Sequence, residues 1–191
     1  MTEKLFTALA LIVVALAPNC LRAQSAAPAK PATATPTNGV RAEFLNELKI
    51  QEDKFLQLAQ AIPASKYSWR PGEGVRSISE VYMHVAAANY NLPHVFGVAP
   101  PVGFKAEGFD KSTSDKAKVI DALKDSYDHM REAVLKMPDA DVEKQVDWFG
   151  AKNTYRGVML FIVRHGAEHL GQSIAYARIN GVVPPWSEER R

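Results

Sequence analysis

Cysteine is almost missing from this chain. Cys20 is the only one in 191 residues, and it precedes the point where a leader would be cut. A mature chain without cysteine has no disulfide, so packing must hold it, with a possible share from a metal. Excess charge is missing too. The formal net charge is +2, and removing residues 1–23 takes away Lys4, Arg22 and Glu3, leaving +1. A near-neutral surface argues against a nucleic-acid partner, which needs a basic patch. No apolar run reaches the ~20 residues of a membrane-spanning helix; Leu5 to Ala17 falls short of it. Stable membrane insertion of the mature chain is therefore not expected. Internal repeats are absent, and so is any convincing strand-like alternation. What remains is a chain with 47% hydrophobic residues, an ordinary share for a globular protein with a real core.

The N-terminus reads as a secretory leader. Lys4 opens it, Leu5 to Ala17 is apolar, and Leu21-Arg22-Ala23 offers a small residue before a cleavage point. The expectation is a signal peptide over 1–23 and an exported mature protein, periplasmic or extracellular. Asn19 before Cys20 fits a lipid-attachment site poorly. Residues 24–39 are rich in Ala, Pro and Thr and predict a disordered linker.

From Val40 to Ala61 the residues Phe44, Leu48, Phe55 and Leu58 recur at helical spacing, and Pro63 ends that helix. Tyr67-Ser-Trp-Arg-Pro-Gly-Glu-Gly74 reads as an ordered turn, with Tyr67 and Trp69 over one end of the core. Ser77 and Glu80 form a capping box that opens a second helix, running to about Asn91. His84 lies on the flank of its apolar stripe. Leu92 to Thr113, with three prolines and three glycines, reads as a long loop without secondary structure of its own; it is either a pocket wall or a plain connector. His94 sits in it. A third helix is expected from Asp115 to Met137, capped by Ser112 or Ser114, with His129 solvated beside its stripe. Gln145 to Gly150 reads as a short hairpin or an irregular turn. The fourth helix, Tyr155 to Asn180, is apolar on two nearly opposite faces. Leu160, Val163, Ala167 and Leu170 mark one; Val158, Ile162 and Ile179 mark the other, which also carries the histidines. That predicts a helix buried all round. A charged tail, 187–191, follows. Four helices without a strand run predict an all-α four-helix bundle over 40–186. The long connection between helices two and three argues against simple up-down-up-down topology.

The chemistry concentrates in His165-Gly-Ala-Glu-His169. Residues four apart on a helix lie one turn apart on one face, so both imidazoles can reach one cation. Buried without partners, such rings would cost ~1–3 kcal/mol each. His84 is the candidate third ligand; taken alone it reads as a satisfied boundary histidine. Together the three predict a three-nitrogen site with open positions, the catalytic pattern, rather than a closed four-ligand structural one. Gln172 is placed to orient a bound water. His165-x-x-Glu168-His169 also matches the inverted zinc-peptidase motif, in which the glutamate is the general base. That family takes a further ligand well downstream, and only 22 residues follow His169. Glu168 is therefore expected in solvent or beside a ligand, not as a peptidase base.

Three segments, in order, resemble one known family. They are Tyr67-Ser-Trp-Arg-Pro71, then Ser77-Ile-Ser-Glu-Val-Tyr-Met-His84, then His165-x-x-x-His169-x-Gly171-Gln172 leading to Tyr176-x-Arg178-x-x-Gly181. The chain so resembles the DinB-like four-helix bundles, grouped with the YfiT-type metal-dependent hydrolases, over about Val40 to Pro185. The resemblance implies a metal triad that maps onto His84, His165 and His169. It implies a divalent cation, with zinc or nickel foremost, and in many members a homodimer. Some relatives are transferases that use low-molecular-weight thiols. An export leader sets this chain apart from the family's cytoplasmic pattern. Two functional expectations follow. One is a metal-dependent hydrolase or group transferase acting on a small molecule. The other is a non-catalytic exported bundle that binds a metal or ligand.

Overall fold

The structure, a computed structural model, describes residues 35–188, all within one unit, Thr33–Arg191. The leader 1–23, most of the 24–39 linker and the last three residues of the 187–191 tail lie outside the described residues. Among the described residues no helix is long and apolar enough to cross a membrane.

Helix α1 spans Gly39–Ala61 and buries Phe44, Leu48, Phe55 and Leu58, the expected stripe. Helix α2 spans Ile78–Asn91 and is opened by the expected box: Glu80 N donates to Ser77 Oγ at 3.2 Å, and Ser77 N donates to Glu80 Oε2 at 2.7 Å. Helix α3 spans Lys116–Leu135, and its cap differs from expectation. Lys118 N donates to Asp115 Oδ1 at 3.0 Å, while the Ser112 hydroxyl turns back to donate to the Phe109 carbonyl. A carboxylate is the stronger acceptor at the positive end of a helix, so Asp115 displaces Ser112 and Ser114. Helix α4 spans Tyr155–Ile179 and is capped by Thr154, whose Oγ1 accepts from Gly157 N at 3.1 Å.

Helix α3 packs against α1 and α2, and α4 packs against the same two, so α1 and α2 are diagonal partners. Consecutive helices of an up-down bundle would be neighbours; this arrangement matches the departure that the long connection predicted. The core runs down the centre, where Phe55 meets Tyr82 edge-on at 6.0 Å among Leu48, Leu58, Leu123 and Met130. Each such large apolar side chain stabilises the fold by ~1.5–3 kcal/mol when fully buried. Tyr67 belongs to this core, its hydroxyl donating to the Ala59 carbonyl at 2.7 Å.

Three expectations are corrected here. First, α4 is not buried all round: Leu160 and Ile179 are about two-thirds exposed and Ala167 is exposed. Only the sides facing α1, α2 and the segment just before α4 are covered. The approach to α1 is close, since a Cβ on Gly166 would lie 1.9 Å from Gln51 Oε1. Gln51 in turn donates to the Val163 carbonyl at 3.0 Å. Second, the Leu92–Thr113 connection has structure of its own, with 3-10 turns at Leu92–Phe96 and Phe109–Lys111. Its aromatics find partners: Phe104 and Phe109 pack on Tyr90 at 5.4 and 5.9 Å. Third, the beginning of the charged tail is folded. A short α5, Pro185–Glu188, includes Trp186, which packs against the core beneath the Lys54 ammonium.

The segment after α3 is a hairpin. Strand β1, Gln145–Trp148, pairs antiparallel with β2, Ala151–Thr154, in the register Gln145 opposite Thr154 and Trp148 opposite Ala151. The two turn residues, Phe149 and Gly150, have φ of 49° and 81°, the sign that a tight two-residue hairpin turn of the type I′ class requires.

Candidate metal centre

His84 comes from the middle of α2; His165 and His169 come from successive turns of α4. Each offers one ring nitrogen, and the three nitrogens lie within 4.8 Å of one another. His84 Nε2 and His165 Nε2 are 3.2 Å apart. Two tetrahedral ligands with bonds of ~2.0–2.1 Å would be separated by about 3.3 Å, so this pair already has a ligand-like spacing. Ring centroids are 5.2 Å apart for His84–His165, 4.7 Å for His84–His169 and 4.6 Å for His165–His169. All three expected site residues are thus brought together, and all are half-buried.

Burial pushes His84 down to about 4, with Arg76 and His169 adding to it. His165 is also lowered to about 4, by burial first and then by His169 and His84. Both rings are therefore neutral at pH 7, the state a metal ligand needs. Two neutral rings at 3.2 Å satisfy each other only if one donates and one accepts. A cation at their meeting point would use both lone pairs.

The surroundings hold the rings in place. His169 Nδ1–H donates to Gln172 Oε1 at 2.9 Å, which leaves Nε2 as the lone-pair nitrogen. Gln172 Nε2–H2 donates onward to the Tyr176 hydroxyl at 2.9 Å, and Trp69 meets the Tyr176 ring edge-on at 5.4 Å. A ligand histidine whose other nitrogen is tied to an acceptor has a fixed tautomer and ring plane. Gln172 was expected to orient a water; here its amide is taken up by His169 and Tyr176. The ring of Phe161 stacks on His165 at 5.9 Å and 16°. Sequence reasoning did not find Phe161 or the supporting role of Gln172. The i, i+3 spacing of His169 and Gln172 was the available signal.

Other expected positions fall away from the centre. Glu168 is exposed and paired with Arg164 at 2.7 Å, one turn back on the outer face of α4. His94 is exposed, in contact with the Asn91 carbonyl. His129 is not solvated as expected: it is half-buried beside the Tyr90 ring, at 5.9 Å, and burial lowers its pKa. The tyrosine comes from α2, which the spacing within α3 could not reveal.

The donor set suits a borderline divalent ion. Three imidazoles with no carboxylate among them favour zinc, nickel, copper or cobalt over calcium or magnesium, which prefer oxygen. The nearby carboxylate of Asp110 is engaged by Arg76 at 3.2 Å.

Comparison with known proteins bears on family and fold. The model of the DinB superfamily matches residues 47–173. The chain is 23% identical over 149 residues to the uncharacterized protein YjoA of Bacillus subtilis (strain 168), covering 76% of this chain and 91% of YjoA. Two solved structures share the fold. A DinB-like protein from Bacillus cereus ATCC 10987 aligns with a TM-score of 0.66 at 17% identity, covering 74% of this chain and 93% of that one. The YjoA crystal structure, a DinB-like protein, aligns with a TM-score of 0.59 at 19% identity, covering 73% and 92%.

Proposed function

The chain belongs to the DinB superfamily, and on that premise we propose that it is a metal-dependent enzyme, a hydrolase or group transferase acting on a small molecule. The observation that supports this most is the convergence of three imidazole nitrogens within 4.8 Å. His84, His165 and His169 would hold the ion, zinc or nickel in this reading. A cation bound by three protein ligands retains open positions and supplies Lewis acidity to a bound small molecule.

The chain's own groups do the rest. Gln172 keeps the His169 lone pair aimed inward, and Phe161 fixes the plane of His165. Leu92 and Ala106, from the connection after α2, wall a cavity that reaches His84 and His165. Export and self-association complete the reading. The first rests on the leader-like residues 5–17, the second on the family resemblance; fractionation of expressing cells and light scattering test them.

The test of function begins with elemental analysis of protein purified without a histidine tag. One ion per chain is expected, lost in both His84→Ala and His165→Ala; retention in both variants rejects the three-ligand reading. A panel of ester, amide and thiol-transfer substrates, run with and without chelator, then reads the chemistry. Stoichiometric metal with no chelator-sensitive turnover on any of them rejects the enzyme reading.

A further inference from the structure

The groove between α2 and α4 that carries the histidines is flanked by two cavities of opposite character, with no lining residue in common. Along α2 the order is Glu80, His84, Ala88; along α4 it is Phe161, His165, His169, Gln172. At ~1.5 Å per residue, Glu80 to Ala88 covers about 12 Å. Beyond the Glu80 and Gln172 end lies a cavity of about 500 Å³ that also takes in Arg70, Arg76, Asp110 and Lys111. At the Ala88 and Phe161 end lies a cavity of about 280 Å³, walled by Leu92, Ala106 and Phe149 and open to His84 and His165. The two helices thus run antiparallel past the histidines, polar side chains at one end and apolar ones at the other.

The charges at the polar end do not cancel. Arg70 pairs with Glu80 at 2.9 Å and Arg76 with Asp110 at 3.2 Å. The Lys111 ammonium has no carboxylate within ion-pair distance among the described residues. Three cations face two carboxylates, so the cavity favours an anion.

The apolar end holds the one non-glycine residue of positive φ among the described residues, Phe149. Left-handed backbone is unfavourable for a bulky side chain, and this turn position is usually filled by Asn, Asp or Gly. The ring gives the core nothing in return, being 84% exposed. Instead Trp148, at 4.7 Å, and Phe161, at 6.1 Å, hold it at the rim of the cavity that His165 shares. A strained, exposed aromatic at the mouth of such a cavity points to a role in binding.

We propose that this groove binds a small amphipathic carboxylate, its apolar body against Phe149, Phe161 and Leu92 and its anionic end toward Arg76 and Lys111, with Phe149 determining which apolar bodies are accepted. The inference rests on the reading that the three histidines hold a metal, since it places the middle of the molecule at that ion.

Calorimetric titration with straight-chain carboxylates from butanoate to decanoate tests it, beside alcohols and amines of the same lengths. Both metal-loaded and chelator-treated protein are titrated. Carboxylates should bind about three- to fourfold tighter per added methylene until the apolar end is filled, and tighter than the matched alcohols and amines in both forms. Phe149→Ala should flatten the dependence on chain length, with metal content and butanoate affinity retained; Phe149→Leu should restore part of it. Arg76→Gln should remove the preference for carboxylate over alcohol and leave the length dependence intact. A flat length series in the wild-type protein overturns the inference, as does a Phe149→Ala series that matches the wild type. The two readings fail separately. A flat series in protein that holds stoichiometric metal rejects this groove alone; a graded series in protein that takes up no zinc or nickel when either is supplied rejects the metal centre alone.

Discussion

Two of the bundle's interfaces, α1 with α3 and α2 with α4, treat the polar side chains they cover in opposite ways. Between α1 and α3 the charged groups are closed off by partners. Buried Arg41 donates to the Val134 and Leu135 carbonyls at 3.0–3.1 Å and pairs with Asp139 at 2.7 Å, closing the C-terminal end of α3. Glu52 meets Arg131, which also meets Asp128; burial raises the Glu52 pKa and Arg131 opposes that. Between α2 and α4 three imidazoles face one another with no acid among them. Their outer nitrogen is braced at His169, and their inner lone pairs converge. The contrast separates a structural polar cluster from a functional one. Burial and polarity are common to both; only the second has ligand capacity that the chain itself does not use.

The sharpest way to break the comparison is to remove a ligand. His165→Ala or His84→Ala should reduce bound metal from one per chain to nearly none, with the helical circular dichroism unchanged. The opposite interface should respond in stability instead. Arg41→Ala leaves α3 carbonyls without their charged donor and should lower the free energy of unfolding by ~3 kcal/mol in urea titrations, with metal content intact. Equal loss of metal in that variant would mean that the two interfaces are not independent. Gln172→Leu should weaken metal binding by about 10- to 100-fold in competition with a chromogenic chelator.

Acid should find the same difference. In chelator-treated protein His84 and His165 sit at about 4 when folded, against an ordinary value of 6.5. The unfolded chain therefore takes up protons first. Stability should be level above pH 6.5 and fall as the pH drops toward 4. Thermal unfolding across that range reads the slope, which His84→Gln should make shallower. A melting temperature that rises on acidification contradicts the buried neutral pair. The smallest effect is expected at Glu168→Ala, on the outer face of α4. It should change stability by less than ~0.5 kcal/mol and leave metal content and turnover as they were.

Much of this could be read along the chain because its causes are local. The Ser77–Glu80 box needs only neighbours three residues apart, and Pro63 stops its helix by its own covalent geometry. The one-turn spacing of His165 and His169 follows from helical periodicity. What went astray depended on partners from elsewhere. Periodicity tells which residues of α4 share a face, but not that α1 and α2 cover only part of it, so Leu160 and Ile179 were expected inside. His129 has charged neighbours in sequence and an aromatic one in space. The miss at α3 was local instead: Ser112, Thr113, Ser114 and Asp115 are four consecutive residues of cap type, and the start of the helix chose Asp115.

The amino-acid order alone determined the helices, their ends, and the pair of imidazoles on one face, since each depends on contacts within a turn or two. Only the tertiary structure brought His84 across from another helix to 3.2 Å, turned Gln172 into the brace of His169, and set Phe149 beside Phe161 at the rim of the groove. Those depend on how α2, α4 and the hairpin pack, and packing is decided by the shapes of surfaces that lie far apart in the chain.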